Sequence, residues 1–185
     1  MDNGRNLLSE LRYVELPTNS LSFSIGSNCF TNCTKLFDDP LINQDELAAF
    51  FSKIAVINSG AFNPIVSTTY YYSNPGGFSN KTIFIPNTIE SLYSQAFSGN
   101  YINEVQFGNS GKPFNISKIP QPRRNSGIFY NAYKTTNYDP IPIKIYVENA
   151  ANEEATNRGN WIFRLYGMDD YAADIQFIDA NASTP

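Results

Sequence analysis

Cys29 and Cys33, four residues apart, are the only thiols in the chain. A pair so close could work as a redox couple or as half of a metal site. Neither the C-x-x-C spacing nor any further Cys or His supports that chemistry. The chain has no His at all, which removes Ser-His-Asp and Cys-His triads and every His-bearing metal site. We therefore expect both cysteines to act as small apolar fillers. A disulfide between them requires a turn that brings their Cα atoms close.

Carboxylates recur as Asp38-Asp39, Glu153-Glu154 and Asp169-Asp170. Glycoside hydrolysis needs two carboxyl groups facing each other across a cleft. Adjacent residues of a strand point to opposite faces, so these pairs read as solvated acidic surface. Asp169-Asp170 with Asp174 lacks the alternating Asp/Asn loop and terminal Glu of an EF-hand. Gly76-Gly77 lacks the Lys-Ser/Thr of a phosphate loop. No catalytic residue, metal site or cofactor site is therefore expected. The remaining chemistry is contact chemistry. Tyr70, Tyr71 and Tyr72 form an aromatic run beside the turn signal Asn74-Pro75-Gly76-Gly77, and we expect them to touch a partner, because Tyr is enriched at binding surfaces. Trp161 reads as an anchor of the core. Four tripeptides, beginning at Asn32, Asn80, Asn115 and Asn181, match the N-glycosylation pattern, as chance matches do in an Asn-rich chain.

Composition narrows the class. The chain has 185 residues, 42% hydrophobic and 16% charged, enough apolar content and length for one domain with its own core. A net charge of −4 and a pI near 4.8 argue against a nucleic-acid binder, and Arg123-Arg124 is the only adjacent basic pair. Aromatic residues make up 15%, with 12 Tyr and 14 Phe. No stretch approaches a membrane span. Met1-Asp2-Asn3-Gly4-Arg5-Asn6 is polar, so no signal peptide is expected.

The elements that must hold these residues recur along the chain. Leu11-x-x-Val14-x-Leu16-Pro17 alternates as a strand and stops at a proline. Ile25 then re-enters the interior, followed by Phe30 after the small Cys29. Ile83-Phe84-Ile85-Pro86 repeats the strand. Leu92 and then Phe97, after the small Ala96, repeat the bend. Asn32 and Gly99 tolerate the left-handed backbone that a sharp turn needs. Ile102-x-x-Val105-x-Phe107 and Ile143-Lys144-Ile145-Tyr146-Val147 read as further strands, the second as the last. Ile128-Phe129-Tyr130-Asn131 reads as a third Phe bend, with Ala61-Phe62-Asn63 and Gly77-Phe78-Ser79-Asn80 as weaker ones. A unit of this kind cannot bury its apolar face alone, but stacked neighbours can. Between the units, Asn43 with Glu46 forms a capping box, and Leu47, Phe50 and Phe51 share one helical face. Ala55-Val56-Ile57 follows as a strand, and residues 108–126 form a long crossover.

These residues resemble the BspA-like leucine-rich-repeat family, whose unit reads roughly L-x-x-[IV]-x-[IL]-P…[IV]-G-x-x-A-F-x-x-C-x-x-L. Leu11 to Leu36 carries the likeness most fully, with Cys33 at the usual Cys position, and Ile83 to Ile102 carries it with a shortened crossover. Ala155-Thr156-Asn157-x-x-Asn160-Trp161 and Tyr171 to Ile175 resemble the closing unit. The resemblance implies an α/β fold: a short irregular leucine-rich-repeat solenoid with a parallel β-sheet on one side, an inserted helix and a C-terminal closing unit. One domain, 1–185, would divide into a first repeat (11–36), an insertion with helix and aromatic loop (37–80), further repeats (81–147) and a closing unit (148–180). Its repeat core would be Val14, Leu16, Ile25, Phe30, Ile83, Ile85, Leu92, Phe97, Val105, Phe107, Phe129, Ile145, Val147 and Trp161.

The resemblance also implies function. Members of the family are surface adhesion proteins or phage structural proteins, so the expectation is a non-catalytic interaction or structural module on an extracellular surface or in a virion (head or tail decoration). Its partner would be a host surface protein or another virion subunit. Self-assembly into a homo-oligomer fits this reading, and a glycan is a further candidate partner. The rival class is a carbohydrate-binding module or carbohydrate-active enzyme.

Overall fold

Alternating apolar residues in short β-branched and aromatic runs dictate strands with one buried face, and seven form among the described residues. The computed structural model describes residues 10–17, 22–37, 41–64, 78–135 and 137–182. Strands β1 (Phe23–Ile25), β2 (Ile54–Ile57) and β4 (Ser91–Leu92) make one parallel sheet in the order β1-β2-β4. Strands β3 (Phe78–Ile85), β5 (Ile102–Phe107), β6 (Pro142–Val147) and β7 (Asp174–Asp179) make a second, also parallel, in the order β3-β5-β6-β7. The molecule is thus a mixed α/β structure with two parallel sheets and few helices. One hydrophobic cluster includes residues of both sheets.

The bends between strands repeat in space. Ile25, Ile57 and Leu92 are cross-strand partners in the first sheet, and each is followed at the same interval by a Phe. The rings of Phe30 and Phe62 stack at 5.2 Å, Phe62 and Phe97 at 5.0 Å and 5°, and Phe97 and Phe129 at 5.7 Å. Main-chain bonds run with the rings. Phe30 N donates to Ala61 O at 2.8 Å, Phe62 N to Ala96 O at 2.8 Å, and Phe97 N to Ile128 O at 2.9 Å. Two residues before each of the first three Phe the backbone is left-handed, at Asn28 (φ 56°), Gly60 (67°) and Gln95 (57°). This is the geometry that turns the chain so sharply, and Gln95 adopts it despite its Cβ. Asn100 ties two bends together, its buried amide donating to Phe62 O (2.8 Å) and Phe97 O (3.0 Å).

Helix α1 (Gln44–Ser52) starts on the expected capping box: Asn43 Oδ1 accepts from Glu46 N, and Glu46 Oε2 from Asn43 N, both at 2.9 Å. Leu47, Phe50 and Phe51 are buried. The helix also closes an edge. Gln44 Nε2 donates to Thr82 O (2.5 Å), and Thr82 N donates to Gln44 Oε1 (3.1 Å). One side-chain amide thus pairs with β3 as a neighbouring strand would, on an edge that β-proteins commonly leave protected.

At the far end, residues 150–166 are helical: α2 (Ala150–Asn152), a π-turn (Glu153–Asn157) and α3 (Arg158–Tyr166). The last turn of α3 faces the fourth Phe bend. Ile128 N donates to Arg164 O (3.3 Å), Phe129 N to Leu165 O (2.8 Å) and Asn125 N to Gly167 O (2.7 Å). Carbonyls that a helix end leaves without intrahelical partners therefore take the place of the next bend. Trp161 fills the gap beneath, within 6.3 Å of the rings of Phe107, Phe114 and Phe177.

Four expectations are corrected. Val14-Glu15-Leu16 is not a strand; its segment lies along Phe37, whose N–H bonds Arg12 O, and α1 with Gln44 occupies the β3 edge. The first strand among the described residues is Phe23–Ile25. Phe78 is no bend but the first residue of β3, its ring packed against Phe37, Phe62 and Phe97. The Ile143 to Val147 run is not the last strand, because β7 pairs beyond it. Cys29 is exposed, so only Cys33 serves as filler.

Candidate interaction surface

The repeat-core residues expected from sequence fall into two groups. Ile25, Ile83, Ile85, Leu92, Phe97, Val105, Phe107, Phe129, Ile145, Val147 and Trp161 are buried in the one cluster. Val14, Leu16 and Phe30 are half-buried against it, at the end where the stack begins. Tyr70, Tyr71 and Tyr72 lie outside the described residues.

Strand alternation sends the intervening side chains outward. On the four-stranded sheet, register sets Phe84, Gln106, Lys144 and Gln176 in one row across the strands. Tyr146 and Ile178 are paired in the next. Lys144 Nζ meets Glu104 Oε2 at 3.1 Å across two strands. The apolar members Phe84, Tyr146 and Ile178 are half-buried, so the face offers aromatic and aliphatic area among polar groups. Aromatic residues are enriched at protein interfaces relative to the rest of the surface. Sequence reading missed this face because only the register reveals which residues of four distant strands share it.

Two of the three acidic pairs lie within the described residues. Glu153 Oε2 accepts from Trp161 Nε1 at 2.9 Å, and its Oε1 from Asn157 Nδ2 at 3.2 Å. Glu154 pairs with Arg158 at 2.9 Å, and Asp169 with Arg124 at 3.4 Å. Asp38-Asp39 lies outside the described residues. Among the described residues no three His, Cys, Asp or Glu side chains gather as metal ligands would, and no helix is long and apolar enough to cross a membrane. A cleft of about 170 Å³ opens between Phe114, Ile116, Val147, Glu148, Glu153 and Trp161. A shallower hollow of about 580 Å³ lies beside Arg124, Asp169 and Tyr171.

Two tyrosines near that hollow carry a pH dependence. Tyr166 and Tyr171 stack at 4.0 Å. Burial, reinforced by neighbouring ionisable groups, pushes the Tyr171 phenol up to about 12 from 10.0 and raises that of Tyr166 further. Below pH 10 both phenols keep their protons in the folded and unfolded chains. Above it the unfolded chain releases protons that the folded chain holds, so stability falls as pH rises toward 12. The Tyr166 hydroxyl is also buried without a hydrogen-bond partner among the described residues. Tyr166→Phe should flatten the alkaline loss and raise stability at pH 7 by about 1 kcal/mol. Urea unfolding at pH 7 and pH 11 checks both, and a destabilised variant at pH 7 would show that the hydroxyl has a partner.

No family model, curated protein or solved structure matches the chain.

Proposed function

We propose that the chain is a short solenoid of the BspA-like leucine-rich-repeat kind and that it works as a non-catalytic protein-interaction module. It would act as an adhesion protein at an extracellular surface or as a head or tail decoration of a phage particle. The observation that carries this reading is the stack of Phe30, Phe62, Phe97 and Phe129 with its parallel main-chain ladder. A bend that repeats with its hydrogen bonds and its ring is what stacked repeats require. Repeats of this sort present extended sheet faces, and the row through Phe84 and Gln106, with Tyr146 and Ile178 beside it, is the face on offer. Glu153 and Glu154 are tied to Trp161 and Arg158 of their own helical segment, which favours a structural role for this pair over carbohydrate hydrolysis, a reaction that needs two carboxyl groups flanking the scissile bond.

The test is a double variant, Phe84→Ser with Tyr146→Ser, assayed against surface and virion proteins encoded beside this chain's gene. Binding of the wild type that weakens at least about tenfold in the variant, measured where circular dichroism shows the variant still folded, is the expected result. Release of reducing sugar from a mixed polysaccharide panel by the wild type would overturn the non-catalytic reading.

A further inference from the structure

The two ends of the Phe stack are finished differently. At each joint the earlier bend donates and the later bend accepts. Asn28 N reaches Ser59 O at 3.1 Å and Phe30 N reaches Ala61 O at 2.8 Å; Gly60 N reaches Ser94 O at 3.2 Å and Phe62 N reaches Ala96 O at 2.8 Å. By the same register, the acceptors of the first bend are Ser27 O and Cys29 O. Among the described residues no donor reaches either of them. Ser22, Ser24, Gly26, Ser27, Asn28 and Cys29 are exposed, and Phe30 is half-buried with one ring face on Phe62. Strand β1 is the outer strand of its sheet. The first bend is therefore half of a joint, with strand edge, two carbonyls and ring face all present.

We propose that this half-joint binds an extended peptide segment of a partner protein. The segment runs parallel to β1 and copies the bend that would come before it. It carries an aromatic residue whose own N–H bonds Cys29 O and whose ring lies on Phe30. The N–H two residues earlier bonds Ser27 O, from a Gly or Asn able to adopt the left-handed backbone seen at Asn28 and Gly60. This is strand addition at a sheet edge, with the turn included in the recognition.

The occupant follows from the polarity of the ladder. A second copy placed head to head would set the bend carbonyls Ser27 O and Cys29 O against the same carbonyls of the other copy, with no donor for either. A second copy placed head to tail meets α3 at the other end of the stack, where Phe129 N is already spent on Leu165 O and the backbone of Tyr166 and Gly167 closes over Gly127. The neighbouring edge at β3 is closed by Gln44, so only a narrow segment, one strand and one bend long, fits.

The inference deepens the interaction-module reading and rests on it. Its probe is a synthetic peptide with the sequence of residues 53–63 of this chain, Lys-Ile-Ala-Val-Ile-Asn-Ser-Gly-Ala-Phe-Asn, which is the bend that already pairs in this way. The control is the same peptide N-methylated at its Phe. Cys29 is exposed and Cys33 buried, so alkylation of Cys29 by iodoacetamide reports on the site from within. The expected result is a saturable fall in Cys29 alkylation on adding the peptide to the full chain. N-methylation should weaken the effect about fivefold, the worth of one main-chain hydrogen bond. No protection, or equal protection by the N-methylated peptide, overturns the proposal. So does concentration-dependent dimerisation, seen by sedimentation, that protects Cys29 without peptide. Failure here, with partner binding still lost in the Phe84→Ser, Tyr146→Ser variant, would remove the edge site and leave the sheet-face reading standing.

Discussion

Phe97→Ala should lower the unfolding free energy by about 3–5 kcal/mol, a large fraction of what a domain of this size has. The ring sits fully buried in the middle of the stack, 5.0 Å from Phe62 and 5.7 Å from Phe129. Phe51 and Phe78 flank it at 6.0 and 5.9 Å. Its neighbours come from two other bends, from β3 and from α1, so no single element can move in to fill the space. A cavity that cannot collapse costs more than the transfer of the ring alone. Phe30→Ala is the internal comparison. That ring has the same chemistry and the same kind of bend, but it stands half-buried at the end of the stack. Its loss should cost about 1–2 kcal/mol. Urea unfolding followed by circular dichroism measures both. Equal costs at the two positions would show that the rings do not act as one stack.

Gly127→Ala should cost at least about 3 kcal/mol, combining an overpacked contact with broken main-chain hydrogen bonds. A Cβ at Gly127 would lie 2.3 Å from Tyr166 C and 2.4 Å from the nitrogens of Tyr166 and Gly167. All three atoms are backbone, in the last turn of α3, so no side-chain rotation relieves the clash. The helix must move away, and the bonds from Ile128 N and Phe129 N to its carbonyls lengthen or break. Gly159→Ala gives the contrast. It lies in the same helix with nothing within 4 Å of the added Cβ, and it should stabilise by about 0.5–1 kcal/mol through helix propensity alone. Trp161 fluorescence reports the displacement of α3 directly. An unshifted emission spectrum in Gly127→Ala, with wild-type stability, would mean that the helix does not need that close approach.

Much of the framework was legible in the chain. The capping box at Asn43 and Glu46 and the apolar face of Leu47, Phe50 and Phe51 are local signals, and local hydrogen bonding and helical spacing determine them. Phe30 and Phe97 were recognisable as bends because a small residue precedes each and a turn-former follows, Phe129 by the Asn131 that follows it, and Phe62 was the weaker member of the same set. The misplacements came from competition between segments. Val14 and Leu16 have the alternation of a strand, but a strand needs a partner, and Gln44, far along the chain, bonds the edge of β3 at Thr82. Phe78 has the flanking residues of a bend, yet its ring is held by Phe37, Phe62 and Phe97 as part of β3. The face through Phe84, Gln106, Lys144 and Gln176 depends on the register of four strands, which no single window of sequence contains. The half-joint at Ser27 and Cys29 was hidden for a related reason: it is defined by hydrogen bonds that its counterparts make and it does not.

The helix that seals the last bend also sets a schedule for biosynthesis. Ile128 and Phe129 emerge from the ribosome 36 residues before Arg164 and Leu165, so over that stretch of elongation the nascent chain carries two main-chain donors and an aromatic ring with no lid. At ordinary elongation rates that interval lasts on the order of seconds, long compared with the closure of a turn. Chaperone engagement, or pairing with a neighbouring polysome product, would act in that window and end when α3 docks.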